Sequence, residues 1–570
     1  MMPGLTEIRL GASSRAAGLS TTHWRSRQKL LGGALLASLG LALGMGQNNW
    51  GRAQTTFSPS IVVNASQALG PISPGLFTNN QRYEDGGTGV LDLSTLSSDP
   101  TIVPVKPDIV AYAKQEGVTG LRFPGGTQGD YYNWEDGIGP VLSRPTCANL
   151  AGPPAACNSY GIMEHMEFME AIGPAAVAWT GITLARNIRA QDAANFVEFM
   201  NSPDDGNHPW AALRAAYGHP APYGVRFWAL GNEVIADKRY FPNVNAWLDG
   251  YSINGVSVWD GALNIRNAMK AVDPTIEVGT GWSPKNNDIF NALQARNTRF
   301  DFADVHGLGG AQGTGTTSTI QNYTAVSAAS HSADKTVALQ NMINGPAYPA
   351  LNGMLIYSWE MDVSDVALRY SLSHALTNSV TMDEYIANHL TFDSHTPFSA
   401  LNTKPPETAR SEDVEFYPSV PADPTGNQYV TWIATAPSYT YMLYAYDLGT
   451  QSVASAISSD PTATVNKLSV NLLYVTAALD DQGDVLGVIV TNTDVSNDWT
   501  ASLTLEGFAA GNAAVEQVNG PDVTSVDTPA APTTVQDVAL PGFAVPASGT
   551  FSYTFPAHSV TAIDFSAAQS

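Results

Sequence analysis

Two glutamates stand where chemistry is expected. Glu233 closes the run GVRFWALGNE (224–233), and Glu360 closes NGMLIYSWE (352–360). Each is a carboxylate at the end of an apolar strand-like run, and a carboxylate is costly to bury without partners. Two facing carboxylates suit glycoside hydrolysis. One, protonated, donates to the leaving oxygen, while the other, ionised, attacks the anomeric carbon. A separation near 5–5.5 Å gives retention and a wider gap gives inversion. Burial and mutual repulsion raise the pKa of one member, which supplies the acid. The bland alternative is a pair of structural carboxylates in ion pairs.

The elements that must position such a pair are legible as a rhythm. GVTGLRFPGG (117–126), AAVAWTGITL (175–184), GVRFWALGNE, TIEVGTG (275–281), RFDFADVHG (299–307) and NGMLIYSWE read as strands. Helical periodicity appears between them in MEHMEFMEAIG (163–173), AQDAANFVEFMN (190–201), GALNIRNAMKAVDP (261–274) and VALRYSLSHALTNSV (366–380). Strands alternating with helices predict a parallel sheet, closed here as a (β/α)8 TIM barrel over 70–451. The spacing of the two glutamates puts them on strands four and seven, facing each other across the C-terminal mouth. From 452 to 570 short alternating strands replace the rhythm and predict an antiparallel β-sandwich, or jelly roll, which the lone strand within 54–69 is expected to join.

Composition excludes several partners. The 570-residue chain carries a net charge of −24, which repels nucleic acid and anionic membrane surfaces and suits a neutral carbohydrate. Residues 1–53 read as an export signal: Arg25, Arg27 and Lys29 precede an apolar run to Met45, followed by a small-residue site near Ala53. The alternative is an uncleaved anchor; either way the bulk of the chain is exported. In that setting the two cysteines, Cys147 and Cys157, are expected to form one disulfide, with two free thiols as the alternative. The acidic turn LDDQGDVLG (479–487) lacks full calcium-loop spacing and reads as a hairpin turn. Asn64 and Asn322 head N-glycosylation sequons. No Walker motif, nucleophile elbow or HExxH is present.

The stretches LRFPGGTQGDYYNWEDGIGP, PWAALRAAYGHPAPYGVRFWALGNE and NGPDVTSVDTPAAPTTVQD…FPAHSVTAIDF resemble glycoside hydrolase family 51, the retaining α-L-arabinofuranosidases. The resemblance implies Glu233 as acid/base and Glu360 as nucleophile. It implies Asn232 as the amide that bonds the substrate 2-OH, Arg122 as a cation beside the nucleophile and His306 as the strand-six histidine of the site. It implies no metal or cofactor, and a homo-oligomer is possible. Asn79, Asn80 and Glu84 are the candidates for a strand-one sugar ligand. Tyr131, Tyr132, Trp134, Trp228 and Trp359 are candidates to stack on sugar, Trp359 foremost. The chain departs from the family pattern at Thr127, at HGLGGAQG (306–313) and at SWEMD (358–362). The expected function is therefore an exported exo-acting arabinofuranosidase on plant cell-wall polysaccharides. Alternatives are another glycone (galactofuranose or xylose), endo-glucanase action, or a catalytically silent carbohydrate-binding protein.

Overall fold

The computed structural model describes residues 58–568 except 84–86, 88, 146–157, 234–239, 282–285, 309–316, 363–367, 369, 392–393, 398–415, 420–430, 466 and 529–530. The expected signal segment, Glu84, Cys147 and Cys157 lie outside the described residues.

Eight parallel strands form one sheet: β1 (Thr78–Asn80), β2 (Gly120–Phe123), β3 (Gly181–Leu184), β4 (Phe227–Leu230), β5 (Glu277–Thr280), β6 (Phe302–Leu308), β7 (Leu355–Asp362) and β8 (Ser394–Pro397). Their order is β7-β6-β5-β4-β3-β2-β1-β8, and every neighbouring pair is parallel. The end strands β7 and β8 lie against each other, which closes the barrel. Helices intervene between successive strands because the chain supplies one apolar stripe per segment. In Ala190–Asn201, for example, Ala193, Phe196, Val197 and Met200 are buried at helical spacing. Helix Pro107–Glu116 starts on a proline and stops at Gly117, whose φ of 87° suits a residue without a Cβ.

The AAVAWTGITL run differs from its reading as one strand. Pro174 opens a short helix, Pro174–Ala178, and only Gly181–Leu184 is extended.

Alternation along the strands fills the bore and coats the barrel with one sequence. Trp228 and Leu230 of β4 face the helices, whereas Phe227 and Ala229 join Phe302, Tyr357 and Trp359 inside. These large rings need small neighbours. A Cβ on Gly181 would lie 2.6 Å from the Trp359 ring, and one on Gly279 would lie 2.1 Å from the Phe302 ring.

A nine-stranded sheet makes the second half. Strand Ser60–Pro71 pairs antiparallel with Gln451–Ser458 and parallel with Trp499–Glu506. The remaining neighbours in the sheet are antiparallel. The two edge strands, Gln536–Ala544 and Thr550–Phe555, meet through the rings of Phe543 and Phe551, 5.3 Å apart, so the sheet curls over its own core. That inner core takes Ala477, Val488, Val490, Ile563 and Phe565. The alternate residues Ala478, Ile489, Val560 and Ala562 pack instead with helices Leu372–Ala387 and Ala436–Tyr446. Both faces of these strands are therefore buried, and the sheet is tied to the barrel through its apolar surface.

The 479–487 segment is a hairpin turn: Asp480 Oδ1 accepts from the N–H groups of Asp484 and Val485. Asn322 is buried; its amide donates to the Thr493 carbonyl at 3.2 Å and its oxygen accepts from Ser373 at 2.8 Å. The folded chain therefore offers no glycan acceptor there. Among the described residues no helix is long and apolar enough to cross a membrane.

Candidate active site

The site is assembled at the C-terminal ends of β1, β2, β4, β6 and β7. Arg122 of β2 is fully buried and sits at its centre. Its Nη1 donates to Glu360 Oε2 at 2.8 Å and to Asn80 Oδ1 at 3.3 Å. Its Nε donates to Thr183 Oγ1 at 3.1 Å, and its Nη2 donates to Asn232 Oδ1. Arg122 reaches all four because β2 alternates: Leu121 and Phe123 face the helices, so Arg122 faces the bore. A planar fork of five donors suits this role better than a lysine would.

Glu360 is aimed by an irregularity. On β7 the register against β6 shifts between Ser358 and Glu360, so that Glu360 pairs with His306. Trp359 is the extra residue. Such a bulge re-aims the side chain that follows it. It lets Trp359 fill the bore while the next residue, Glu360, still reaches Arg122.

Glu233 is aimed by a strained turn. Beyond β4 the chain runs through Gly231 at φ 84° and reaches Glu233 at φ 53°, a left-handed conformation uncommon for a residue with a side chain. Strain of this kind persists where surrounding contacts hold it. Here the Asn232 N–H donates to Asp130 Oδ1 at 2.8 Å, and Asn232 Oδ1 accepts from Arg122.

His306 bridges the two glutamates. Its Nδ1 lies 2.9 Å from Glu233 Oε1 and 3.8 Å from Glu360 Oε2, and its Nε2 lies 3.1 Å from Asp304 Oδ2. The sum of the first two distances is the greatest separation those carboxylate oxygens can have. It falls at the bottom of the roughly 6.5–9.5 Å that an inverting pair requires. The side chain of His306 has no exposed surface, whereas Glu233 and Glu360 keep 39% and 26% of theirs open. A ligand can therefore reach both carboxylates but not the imidazole.

The charges are mutually adjusted. Burial by itself would push the His306 imidazole toward neutrality. The carboxylates of Asp304 and Glu360, with hydrogen bonds to Asp304 and Glu233, outweigh it and raise the pKa to about 10. The ring is thus a cation at neutral pH and donates from both nitrogens. For Glu360, burial opposes ionisation, but the cations of His306, Arg122 and Arg82 win and hold its carboxyl below the usual range. It is ionised at neutral pH, as a nucleophile must be.

Several sequence-based candidates come together here: Glu233, Glu360, Asn232, Arg122, His306 and Asn80. Asn79 does not, because β1 alternates and turns its amide to Glu116 Oε1 at 3.5 Å, behind the sheet. The expectation that Trp359 stacks on a sugar is corrected. Its indole is fully buried in the bore, lies 5.1 Å from the Phe302 ring, and donates Nε1 to Thr183 Oγ1 at 3.2 Å. It forms a floor beneath the site. Tyr132, Trp134 and Trp228 are also buried core residues. Tyr131 alone of the five keeps an open ring, 38% exposed. It lies against the Arg186 guanidinium at 4.1 Å, which in turn lies 4.0 Å from the Tyr240 ring. Sequence reasoning missed Asp130, Thr183 and Asp304. Asp304 had a signal, since Phe302, Asp304 and His306 share one strand face. Asp130 had none, being in an irregular turn 102 positions from its partner.

Residues 114–325 match the family model described as the alpha-L-arabinofuranosidase 1 domain, which takes in Arg122, Asn232, Glu233 and His306. Two similar curated proteins are intracellular exo-alpha-(1->5)-L-arabinofuranosidases. The one from Streptomyces lividans is 30% identical over 34% of this chain and 27% of its own length. The one from Bacillus subtilis is 33% identical over 30% of this chain and 32% of its own length. The chain thus aligns with about a third of the curated relatives it matches. The alpha-L-arabinofuranosidase structure from Thermotoga maritima covers 89% of this chain and 99% of its own, with a TM-score of 0.71 and 22% identity. Residues 114–325 thus resemble the arabinofuranosidase family, and the solved structure shares the fold over most of the chain. A structure described as a GH51 arabinofuranosidase, from Xanthomonas axonopodis, shares the fold at a TM-score of 0.72 and 18% identity, over 89% of this chain and 99% of its own. Glu360 lies beyond the segment matched by the family model, so its place in the site rests on the geometry above.

Proposed function

We propose that this chain is a family 51 enzyme, a retaining, exo-acting α-L-arabinofuranosidase. The observation that carries the reading is the bridged pair, with Glu360 ionised against Arg122 and Glu233 held at His306. Glu360 attacks the anomeric carbon as its bond to the leaving oxygen breaks, and Glu233 gives that oxygen its proton. A covalent glycosyl–Glu360 ester forms. Glu233, now a carboxylate, takes a proton from water, whose oxygen attacks the same carbon and releases Glu360. Asn232 supports this cycle by offering its amide N–H groups to the sugar, since Arg122 already occupies its oxygen. Retention is drawn from the family that the chain resembles, and the bound on the carboxylate separation is compatible with it.

The substrate class is drawn from the relatives' names, and the exposure that both glutamates keep leaves room for a sugar. A panel of nitrophenyl glycosides and polymeric glucans tests it. Hydrolysis of the α-L-arabinofuranoside with retained product configuration is expected. Activity on glucans or xylosides alone would replace the glycone, and sugar binding without turnover would replace the enzyme reading. Export is proposed on the basic–apolar–small pattern of residues 1–53, although several relatives are named intracellular. The N-terminal sequence of protein from the producing cell's medium should begin near residue 54; full-length protein confined to the cytoplasm would refute export.

A further inference from the structure

Asp130 is neither of the two carboxylates that the mechanism uses, yet it touches the turn that presents one of them. It sits in the 3-10 turn Thr127–Tyr131 after β2 and is almost fully buried. Its Oδ1 accepts the Asn232 main-chain N–H at 2.8 Å, and its own carbonyl accepts the Arg186 N–H at 3.3 Å. Asn232 is the residue between the two left-handed positions, Gly231 and Glu233. Without an acceptor at Asp130, the Asn232 amide hydrogen would be buried and unpaired, and the turn would be free to relax.

We infer that Asp130 is a positioning residue that clamps the Gly231–Asn232–Glu233 turn and so holds Glu233 in place. The inference rests on the acid/base role proposed for Glu233. The groups around Asp130 come from three loops: Arg122 on β2, Arg186 after β3, and Glu233 after β4. Burial raises the carboxyl of Asp130, the Asn232 N–H and the two arginines pull it down, and Glu233 raises it again, to about 7.

Asp130→Asn and Asp130→Ala test the clamp. The asparagine keeps an oxygen for the Asn232 N–H and removes the charge; the alanine removes both. Both are assayed in the full chain on whichever nitrophenyl glycoside the wild type hydrolyses best, so that a mistaken glycone does not disguise the result. The alanine should lose about 100-fold in kcat with KM changed only a few-fold, as expected for a misplaced catalytic group. The asparagine should stay within about 5-fold of wild-type kcat, rescuing most of what the alanine loses. Wild-type kinetics in the alanine variant would overturn the inference. So would an asparagine variant as impaired as the alanine with an unchanged unfolding temperature. If the alanine variant does not fold, an asparagine variant that folds as the wild type does but loses about 100-fold in kcat overturns it instead.

Discussion

Without the Arg122 guanidinium, Glu360 would keep His306, at 3.8 Å, and Arg82 as its cations, and Asn80, Asn232 and Thr183 would each lose a donor. Breaking a buried ion pair by removing one partner costs about 3–5 kcal/mol. Arg122→Met should therefore lower the unfolding temperature, and it should also move the acidic limb of the kcat/KM profile to higher pH. The sign follows from Glu360. Its folded carboxyl lies below the usual range because cations face it, so its stabilisation is present above that range and is lost as pH falls through the folded value. Take one cation away and the nucleophile protonates earlier. An unchanged acidic limb would show that Arg122 does not set the state of Glu360. The two glutamates should separate by leaving group. Glu233→Ala should lose about 10²–10⁴-fold on a glycoside with a poor leaving group and much less on a dinitrophenyl glycoside, which departs without a proton. Glu360→Gln should lose on the order of 10⁶-fold on both, as a deleted nucleophile does. Of these residues, Glu233 and Arg122 were legible from sequence, because each stands in a motif. Glu360 was placed at a strand end, but the bulge that aims it depends on the register with β6, which no local pattern records.

At the scale of elements, the bore couples packing to the site. Phe302, Tyr357 and Trp359 are accommodated because β3 and β5 present Gly181 and Gly279. Gly279→Ala would set a methyl 2.1 Å from the Phe302 ring, on the strand face that also carries Asp304 and His306. Overpacking costs about 1–3 kcal/mol, so this variant should unfold at lower temperature and lose kcat as the His306 bridge shifts. Full activity and stability would mean that the bore yields without cost. The strand–helix alternation made these strands readable in advance. Which rings face inward was harder, since strands buried on both faces show nearly continuous apolar runs. That is why Trp359, adjacent to the nucleophile in sequence, read as a sugar platform and is a floor instead. Tyr131 keeps the open ring that a sugar platform needs, and Tyr131→Ala should raise KM for an arabino-oligosaccharide while leaving KM for a nitrophenyl arabinofuranoside nearly unchanged. Unchanged KM on both substrates would count against a stacking role.

For the whole molecule, the chain leaves the curled sheet after its first strand, builds the barrel and returns. Ser60–Pro71 lies between Gln451–Ser458 and Trp499–Glu506, so two strands far downstream depend on it. A chain starting at residue 58 should fold, whereas one starting at residue 74 should expose the Leu503 and Leu505 face and aggregate. Equal solubility of the two would show that the strand is dispensable. The lone alternating run at 58–70 was visible in the sequence, but its parallel pairing with Trp499–Glu506 spans more than four hundred residues and leaves no local trace. Everything proposed for the site depends on Glu360 being the group that bonds to the sugar. Incubation with a mechanism-based arabinofuranosyl inhibitor, followed by proteolysis and peptide mass mapping, tests this most directly. The account predicts one label per chain, on Glu360, and none in Glu360→Gln; a label on Glu233 or another residue in an active wild-type enzyme would contradict it.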